Sequence, residues 1–175
     1  MYLVSLYFDE KTERKIRGYI EKIAEKTGNG FMVDNHVPPH ITVATVESRH
    51  EDMVIERLGS MDVRAGEIQF VSVGSFVPQV LYLEPVLNQY LHELSEKIAE
   101  ALEEIPETIL SPYYQPFGWL PHCTLGKQLT KEQMLEAFSL MQNSFAPFEG
   151  KVTRIGLATT NPHRDISVWE LNSPR

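Results

Sequence analysis

Cysteine is almost absent from this sequence, and long apolar runs are missing altogether. The single cysteine, Cys123, excludes an internal disulfide bond and a cysteine-rich zinc site. No apolar run approaches the roughly 18 residues that a membrane helix needs. Residues 1–11 lack the basic segment and the small-residue cleavage site of a signal peptide. We therefore expect a cytoplasmic protein that does not enter a membrane.

Basic residues are also few. The chain has 16 lysine and arginine residues against 24 aspartate and glutamate residues, and its formal net charge is -8. Affinity for long duplex nucleic acid depends on neutralising many phosphates, so that function is disfavoured. A small site for one or two phosphates is still compatible with this charge, because the field in a cleft depends on the residues that line it.

The composition is that of one folded unit with mixed secondary structure. The 175 residues are 42% hydrophobic, which is enough to bury a core. Capping boxes at Ser48 and Thr130, and Pro85 in a first turn, predict where three helices start. The spacing of apolar residues predicts helices at 10–26, 48–59, 85–105 and from 130 onward, and strands at 2–8, 40–46, 67–74, 79–84, 122–126, 151–159 and 165–171.

The chain repeats one motif in a matching context. Residues 39–43 (Pro-His-Ile-Thr-Val) recur 82 positions later as residues 121–125 (Pro-His-Cys-Thr-Leu), and the two capping boxes have the same spacing. We interpret this as an internal duplication within a single bilobal domain, with lobes formed mainly by residues 1–78 and 79–175. A pseudo-twofold axis would then make the two histidine strands face each other across a central cleft.

Each copy of the motif places an imidazole beside a hydroxyl. Side chains two apart on a strand share a face, so His40 lies beside Thr42 and His122 beside Thr124. One neutral imidazole can accept a proton from water, and one imidazolium can donate a proton to a leaving oxygen. The hydroxyls can donate to non-bridging phosphate oxygens. This set predicts phosphoryl transfer without a metal, on a substrate such as a strained 2',3'-cyclic phosphate.

Two interpretations of the motifs stay open. A lone His-x-Thr on a strand is more often structural than functional, but core packing alone does not require the same polar pair twice. The first interpretation is an enzyme in which both pairs act on one phosphate. The second is a non-catalytic module that holds a nucleotide or a phosphorylated metabolite in the same cleft.

The paired motifs resemble those of the 2H phosphoesterases, which include 2'-5' RNA ligase-like proteins and cyclic nucleotide phosphodiesterases. The matching segments are 40–43 (His-Ile-Thr-Val) and 122–125 (His-Cys-Thr-Leu), and residues 81–98 resemble the strand and helix between the family's motifs. The resemblance implies an α+β fold in which two antiparallel sheets flank a central cleft and the helices lie outside.

For the site, the resemblance implies that His40 and His122 are the acid–base pair and that Thr42 and Thr124 bind the phosphate oxygens. It implies a reaction without metal or cofactor on a 2',3'-cyclic phosphate or a 2'-5' linkage, with a small nucleotide or an RNA end as the partner. Hydrolysis is favoured over ligation, because the sequence has no P-loop or Rossmann fingerprint. Which histidine is the acid stays open, and we expect a monomer.

Other residues are weaker candidates for substrate binding. Tyr113 and Tyr114 precede the second motif in an aromatic loop, where rings can stack on a base or pack as a lid. Lys127 follows the second motif, but strict alternation puts it on the opposite face of the strand. His163 and Arg164 lie in a turn and reach a phosphate only if that turn is at the mouth of the cleft. No His-Glu-x-x-His pattern or carboxylate cluster predicts a metal site.

Overall fold

The structure, a computed structural model, describes residues 1–173 as a mixture of strands and helices, and the predicted α+β class is confirmed. The strands are β1 (Tyr2–Phe8), β2 (Ile41–Glu47), β3 (Gly66–Phe76), β4 (Val80–Pro85), β5 (Ile109–Leu110), β6 (Cys123–Gly126), β7 (Phe148–Thr159) and β8 (Arg164–Glu170). The helices are α1 (Glu10–Thr27), α2 (Phe31–Asp34), α3 (Glu51–Gly59), α4 (Gln89–Glu103) and α5 (Lys131–Ser144), with a 3₁₀ turn at Pro112–Tyr114. None of the helices in this described part is long and apolar enough to cross a bilayer.

The strands of residues 1–173 form one hydrogen-bonded sheet with antiparallel neighbours. Its order is β5-β2-β1-β7-β3-β4-β6, and β8 also pairs with β7. One edge of β7 pairs with β1, while its other edge pairs with β3 through residues 148–152 and with β8 through residues 154–159. Because β7 is long enough to span both halves, the two sheets expected from the resemblance are joined into one.

The strand order is symmetric about its centre. β7 and β3 lie side by side, flanked by β1 and β4, and then by β2 and β6, the strands that directly follow the two motif histidines. Pairing of β3 with β4 and of β7 with β1 means that each half of the sheet takes strands from both predicted repeats. The division into lobes near residue 78 stays a prediction. In the sheet, β3 from the first repeat lies with β4 and β6, and β7 from the second repeat lies with β1 and β2.

The sheet is curved so strongly that β2 and β6 meet. Four strands separate them in the sheet order, yet Cα atoms of the two strands approach within 8 Å. α1 follows β1 and packs against β6 and α5, whereas α4 follows β4 and packs against β2 and α3. Each half thus supplies the helix that covers the other half's histidine strand. This crossed packing positions the two motifs.

One of the two predicted capping boxes forms. The Thr130 hydroxyl accepts a hydrogen bond from the Gln133 backbone N–H, and the Gln133 side chain accepts one from the Thr130 N–H, so α5 starts as predicted. Two N–H groups that would otherwise lack a partner at the helix N-terminus are satisfied in this way.

The other two predicted helix starts are wrong. The Ser48 hydroxyl accepts from the His50 backbone N–H in the loop before α3, and Thr108 on a distant loop donates to it. Pro85 is the last residue of β4, so α4 begins only after Asn88, whose side chain accepts from the Leu91 N–H. In both places a tertiary or strand contact replaces the local helix signal.

We expect Thr130→Ala to lower the free energy of unfolding by about 1 kcal/mol, because it removes the acceptor for a free N–H of α5. Thr130→Ser keeps the hydroxyl and is the matched control, with a smaller loss. Urea unfolding followed by circular dichroism measures both values. Equal losses in the two variants would contradict the capping interpretation.

Candidate active site

A cavity of about 1000 Å³ lies where the two histidine strands meet. His40 and Thr42 line it from one side, and His122 and Thr124 line it from the other. The residues that alternate with them are at most 1% exposed and face the core, as strand alternation predicts. The structure therefore brings both imidazole–hydroxyl pairs to one cavity.

The buried Cys123 connects the two motifs. Its buried thiol lies beside the backbone of His40, the residue that precedes β2. Burial raises the pKa of the Cys123 thiol to about 12, so the thiol stays protonated and is not a nucleophile at neutral pH. Cys123 is thus a buried packing contact between the start of β6 and the residue before β2.

Both imidazoles are oriented by the same backbone hydrogen bond. Nδ1 of His40 lies 2.7 Å from the carbonyl oxygen of Pro38, and Nδ1 of His122 lies 2.9 Å from that of Leu120. A carbonyl only accepts, so Nδ1 carries the proton that it donates. In the neutral ring, Nε2 then holds the free lone pair, and it is the nitrogen left to exchange a proton with a ligand.

Burial shifts the protonation of both rings toward the neutral form. It lowers the pKa of His40 to about 4, assisted by repulsion from His163 and His122 and opposed by the Pro38 carbonyl. Burial also lowers the pKa of His122, against the opposing effect of the Leu120 carbonyl. The charge of His122 is thus one of the groups that lower the pKa of His40, and both side chains line the same cavity.

His40 packs between Tyr7 and a third histidine, His163. The ring centroids of His163 and Tyr7 lie 5.0 Å and 6.3 Å from that of His40. The Tyr7 hydroxyl donates to Asp165 Oδ1 at 2.5 Å and lies 3.2 Å from His163 Nε2. The turn between β7 and β8 thus brings His163 to the cavity wall, whereas Arg164, the predicted phosphate contact beside it, is exposed and lies outside the lining.

His122 packs against two rings of its own. The ring of Phe76, at the end of β3, meets it edge-on at 4.9 Å between centroids, and Tyr82 lies at 5.3 Å. Phe76 lines the cavity and is 43% exposed. Nothing in the sequence around Phe76 distinguished it from a strand residue, because its contact with His122 depends on the pairing of β4 with both β3 and β6.

Glycines make room for both tyrosines. A Cβ at Gly156 would come within 2.5 Å of the Tyr7 ring, and a Cβ at Gly74 would come within 2.5 Å of the Tyr82 ring. Each tyrosine ring therefore occupies the space beside a glycine of the neighbouring strand, β7 in one half and β3 in the other. Gly74 is directly opposite Tyr82 in the register, whereas Gly156 is opposite Ser5, two residues before Tyr7.

The aromatic loop and a lysine reach the same cavity. Tyr113 is 81% exposed and Tyr114 is half-buried, and both line the wall. Lys127 lines it too, because β6 ends one residue earlier and strand alternation no longer directs its side chain. Its Nζ lies 5.6 Å from the centroid of the Phe31 ring, a further lining residue that the sequence did not single out.

The histidines of the cavity contact backbone carbonyls and a tyrosine hydroxyl. Among residues 1–173, no cluster of three or more histidine, cysteine, aspartate or glutamate side chains is arranged to hold a metal ion. Backbone carbonyls engage one nitrogen each of His40 and His122, and Tyr7 lies within hydrogen-bonding distance of His163. The arrangement offers proton transfer at the imidazoles and hydrogen bonds from the hydroxyls.

A family model described as the 2'-5' RNA ligase superfamily matches residues 12–164, a span that contains both histidine strands. No curated protein sequence matches the chain significantly.

Solved structures match over nearly the whole chain. A structure described as a phosphoesterase is 16% identical, with a TM-score of 0.62 over 98% of this chain and 97% of that one. E. coli LigT complexed with 3'-AMP is 13% identical, with a TM-score of 0.58 over 97% and 96%. The protein TT0787 of Thermus thermophilus is 14% identical, with a TM-score of 0.63 over 99% of both chains. At such identities the likeness shows the fold.

We expect Gly74→Ala and Gly156→Ala each to destabilise the protein by about 1–3 kcal/mol, because the new methyl group displaces a buried tyrosine ring. Gly18→Ala is the matched control. No atom lies within 4 Å of a Cβ at Gly18 in α1, so alanine there is neutral or stabilises the helix by up to about 1 kcal/mol. Thermal and urea unfolding compare the three variants, and equal effects would contradict the close ring contacts.

Proposed function

Because the chain belongs to the 2'-5' RNA ligase superfamily, we propose that it hydrolyses a 2',3'-cyclic phosphate, or a 2'-5' phosphodiester, on a nucleotide or an RNA end. Family membership supports phosphoesterase activity in general. The observation that carries the finer proposal is the presence of His40, Thr42, His122 and Thr124 in one cavity, with both imidazoles fixed through Nδ1.

The proposed reaction moves one proton at each imidazole. The neutral ring takes a proton from water through Nε2 while the water oxygen bonds to phosphorus. The bond from phosphorus to one ribose oxygen of the five-membered ring breaks, and the other imidazole, protonated at Nε2, gives that oxygen its proton. Water is added across the bond, so the product is a 2'- or 3'-phosphate. In-line displacement requires the two rings to lie on opposite sides of the phosphorus, which motifs on two facing strands can provide.

The threonines bind the phosphate in this proposal. Thr42 and Thr124 lie on the cavity wall next to the two imidazoles. In residues 1–173 neither hydroxyl has a hydrogen-bond partner, so both can donate to non-bridging oxygens as negative charge develops. Donors that are already in place stabilise the transition state without reorganising.

The cavity wall suits a nucleotide. Phe31, Tyr113 and Tyr114 supply aromatic faces on which a base can stack, worth roughly 1–3 kcal/mol per base in other proteins, and Lys127 supplies a positive charge. LigT, which shares this fold, has been solved with 3'-AMP bound. A chain with a net charge of -8 and one cavity of about 1000 Å³ fits a small nucleotide or an RNA terminus better than a long duplex. One chain supplies the whole cavity, so a monomer is sufficient.

We expect His40→Ala and His122→Ala each to lower kcat for 2',3'-cyclic nucleotides by about 10²- to 10⁴-fold, because each removes one proton transfer. His50→Ala is the matched control, since His50 lies before α3 and outside the cavity lining, and it retains full activity. A panel of 2',3'-cyclic nucleotides, with the position of the product phosphate determined by chromatography, measures the effect.

The same assay separates the enzyme from a non-catalytic binding module. Saturable binding of the cyclic nucleotides without product would support the module, and full activity in either histidine variant would contradict the paired mechanism. EDTA leaves the rate unchanged if imidazoles perform the proton transfers.

The pH dependence follows from the lowered pKa values. Activity needs one neutral and one protonated imidazole, so kcat/KM follows a bell whichever ring is the base. Burial sets its acidic limb near pH 4, through His40, and its basic limb below the ordinary histidine value of about 6.5, through His122. We therefore expect the maximum on the acidic side of pH 6.5. A bound phosphate anion favours the charged rings and moves the kcat profile to higher pH. A monotonic profile, or a kcat/KM maximum above pH 7, would contradict this account.

A further inference from the structure

His40 and His122 each have an Nδ1 hydrogen bond to a backbone carbonyl and a neighbouring tyrosine, but the other ring packed against each of them differs. His163 packs over His40 from the turn between β7 and β8, at 5.0 Å between centroids. Phe76 packs over His122 from the end of β3, at 4.9 Å. The sheet order makes β7 and β3 equivalent positions of the two halves. One imidazole therefore has an ionisable neighbour where the other has a hydrocarbon ring.

His163 is held in a defined orientation. The Tyr7 hydroxyl donates its hydrogen bond to Asp165 Oδ1, so its oxygen is free to accept one from His163 Nε2–H at 3.2 Å. Nε2 also lies 3.4 Å from the same carboxylate oxygen. Only 8% of the His163 side chain is exposed, and Tyr7 is 3% exposed. The ring is thus fixed between a carboxylate on one side and His40 on the other.

Each charged group near His40 shifts the pKa of His40 in a direction that can be tested. Repulsion from His163 lowers the pKa of His40, and attraction to Asp165 raises it, both on top of the larger effect of burial. The titratable and charged groups around His40 are His163 and Asp165 at the β7–β8 hairpin, His122 before β6, Cys123 in β6, Tyr7 in β1, and Arg154 in β7, which stacks 5.7 Å from the Tyr7 ring.

We propose that His163, anchored by Tyr7 and Asp165 against the ring of His40, is a positioning residue that makes the two imidazoles of the site unequal. It adds to the effect of burial in keeping His40 neutral, so that the single proton of the pair resides on His122. This inference rests on the proposed function, and it assigns the roles there: His40 accepts the proton of water, and His122 donates to the leaving oxygen.

Proton NMR titration of the imidazole Cε1–H signals follows His40 in the full chain and needs no turnover. His163→Gln removes the ionisable ring and keeps a polar side chain, and we expect the His40 midpoint to rise by about 0.5 pH units or more. Asp165→Asn removes the nearby carboxylate, and we expect the midpoint to fall. Phe76→Leu, the matched control on the other half, leaves the His40 midpoint unchanged.

Opposite shifts of the His40 midpoint in the two variants support the proposal. A merely structural role for His163 predicts no such pair of opposite shifts. An unchanged His40 midpoint in both variants, or shifts of the same sign, overturns it. If His163→Gln does not fold, His163→Phe takes its place, because it keeps an aromatic ring against His40, as Phe76 does against His122. A rise in the His40 midpoint in His163→Phe then supports the proposal, and no change or a fall overturns it.

Turnover distinguishes this inference from the proposed function. In an active enzyme, the acidic limb of kcat/KM moves with the His40 midpoint, upward in His163→Gln and downward in Asp165→Asn. If the two variants shift the His40 midpoint in opposite directions but the protein cleaves no cyclic phosphate, the proposed function is contradicted. The inference that the two imidazoles are unequal is still supported in that case. Turnover that is normal, with a His40 midpoint insensitive to both variants, contradicts the inference alone.

Discussion

The contact between β2 and β6 is the constraint on which the site depends. These strands lie far apart in the sheet order and meet only because the sheet curves, while α1 and α4 cross over to cover the histidine strand of the opposite half. The fully buried Cys123 lies beside the backbone of His40, at the point where both motifs start. Without that curvature, the imidazole–hydroxyl pairs would be two unrelated surface features.

Backbone hydrogen bonds then orient the two imidazoles within the cavity. In each motif a proline separates the histidine from the residue whose carbonyl accepts its Nδ1–H, Pro38 in one and Leu120 in the other. A proline favours extended backbone at the residue before it, which suits this repeated geometry. Both rings consequently offer Nε2, and burial favours the neutral form of each. The surroundings of the two imidazoles differ in one respect, because His163 packs against His40 and Phe76 packs against His122.

The sequence predicted the features that depend on local spacing. The alternation around His40 and His122 predicted which side chains face the cavity, and Thr130 predicted the start of α5. It failed where a distant strand decides: Pro85 resembles a helix start but pairs in β4. His163 and Phe76 contact residues that lie far along the chain, so spacing alone could not place them. The predicted turn at residues 161–163 nevertheless made His163 a candidate.

The central claim is that both imidazoles act on one phosphorus atom. A crystal structure of the protein with vanadate and a nucleoside, which together mimic the five-coordinate transition state of phosphoryl transfer, tests it most directly. We expect Nε2 of His40 and of His122 within hydrogen-bond distance of the two apical oxygens of a single vanadium atom, with the Thr42 and Thr124 hydroxyls on its equatorial oxygens. Vanadate bound to one histidine alone, or outside this cavity, would contradict it.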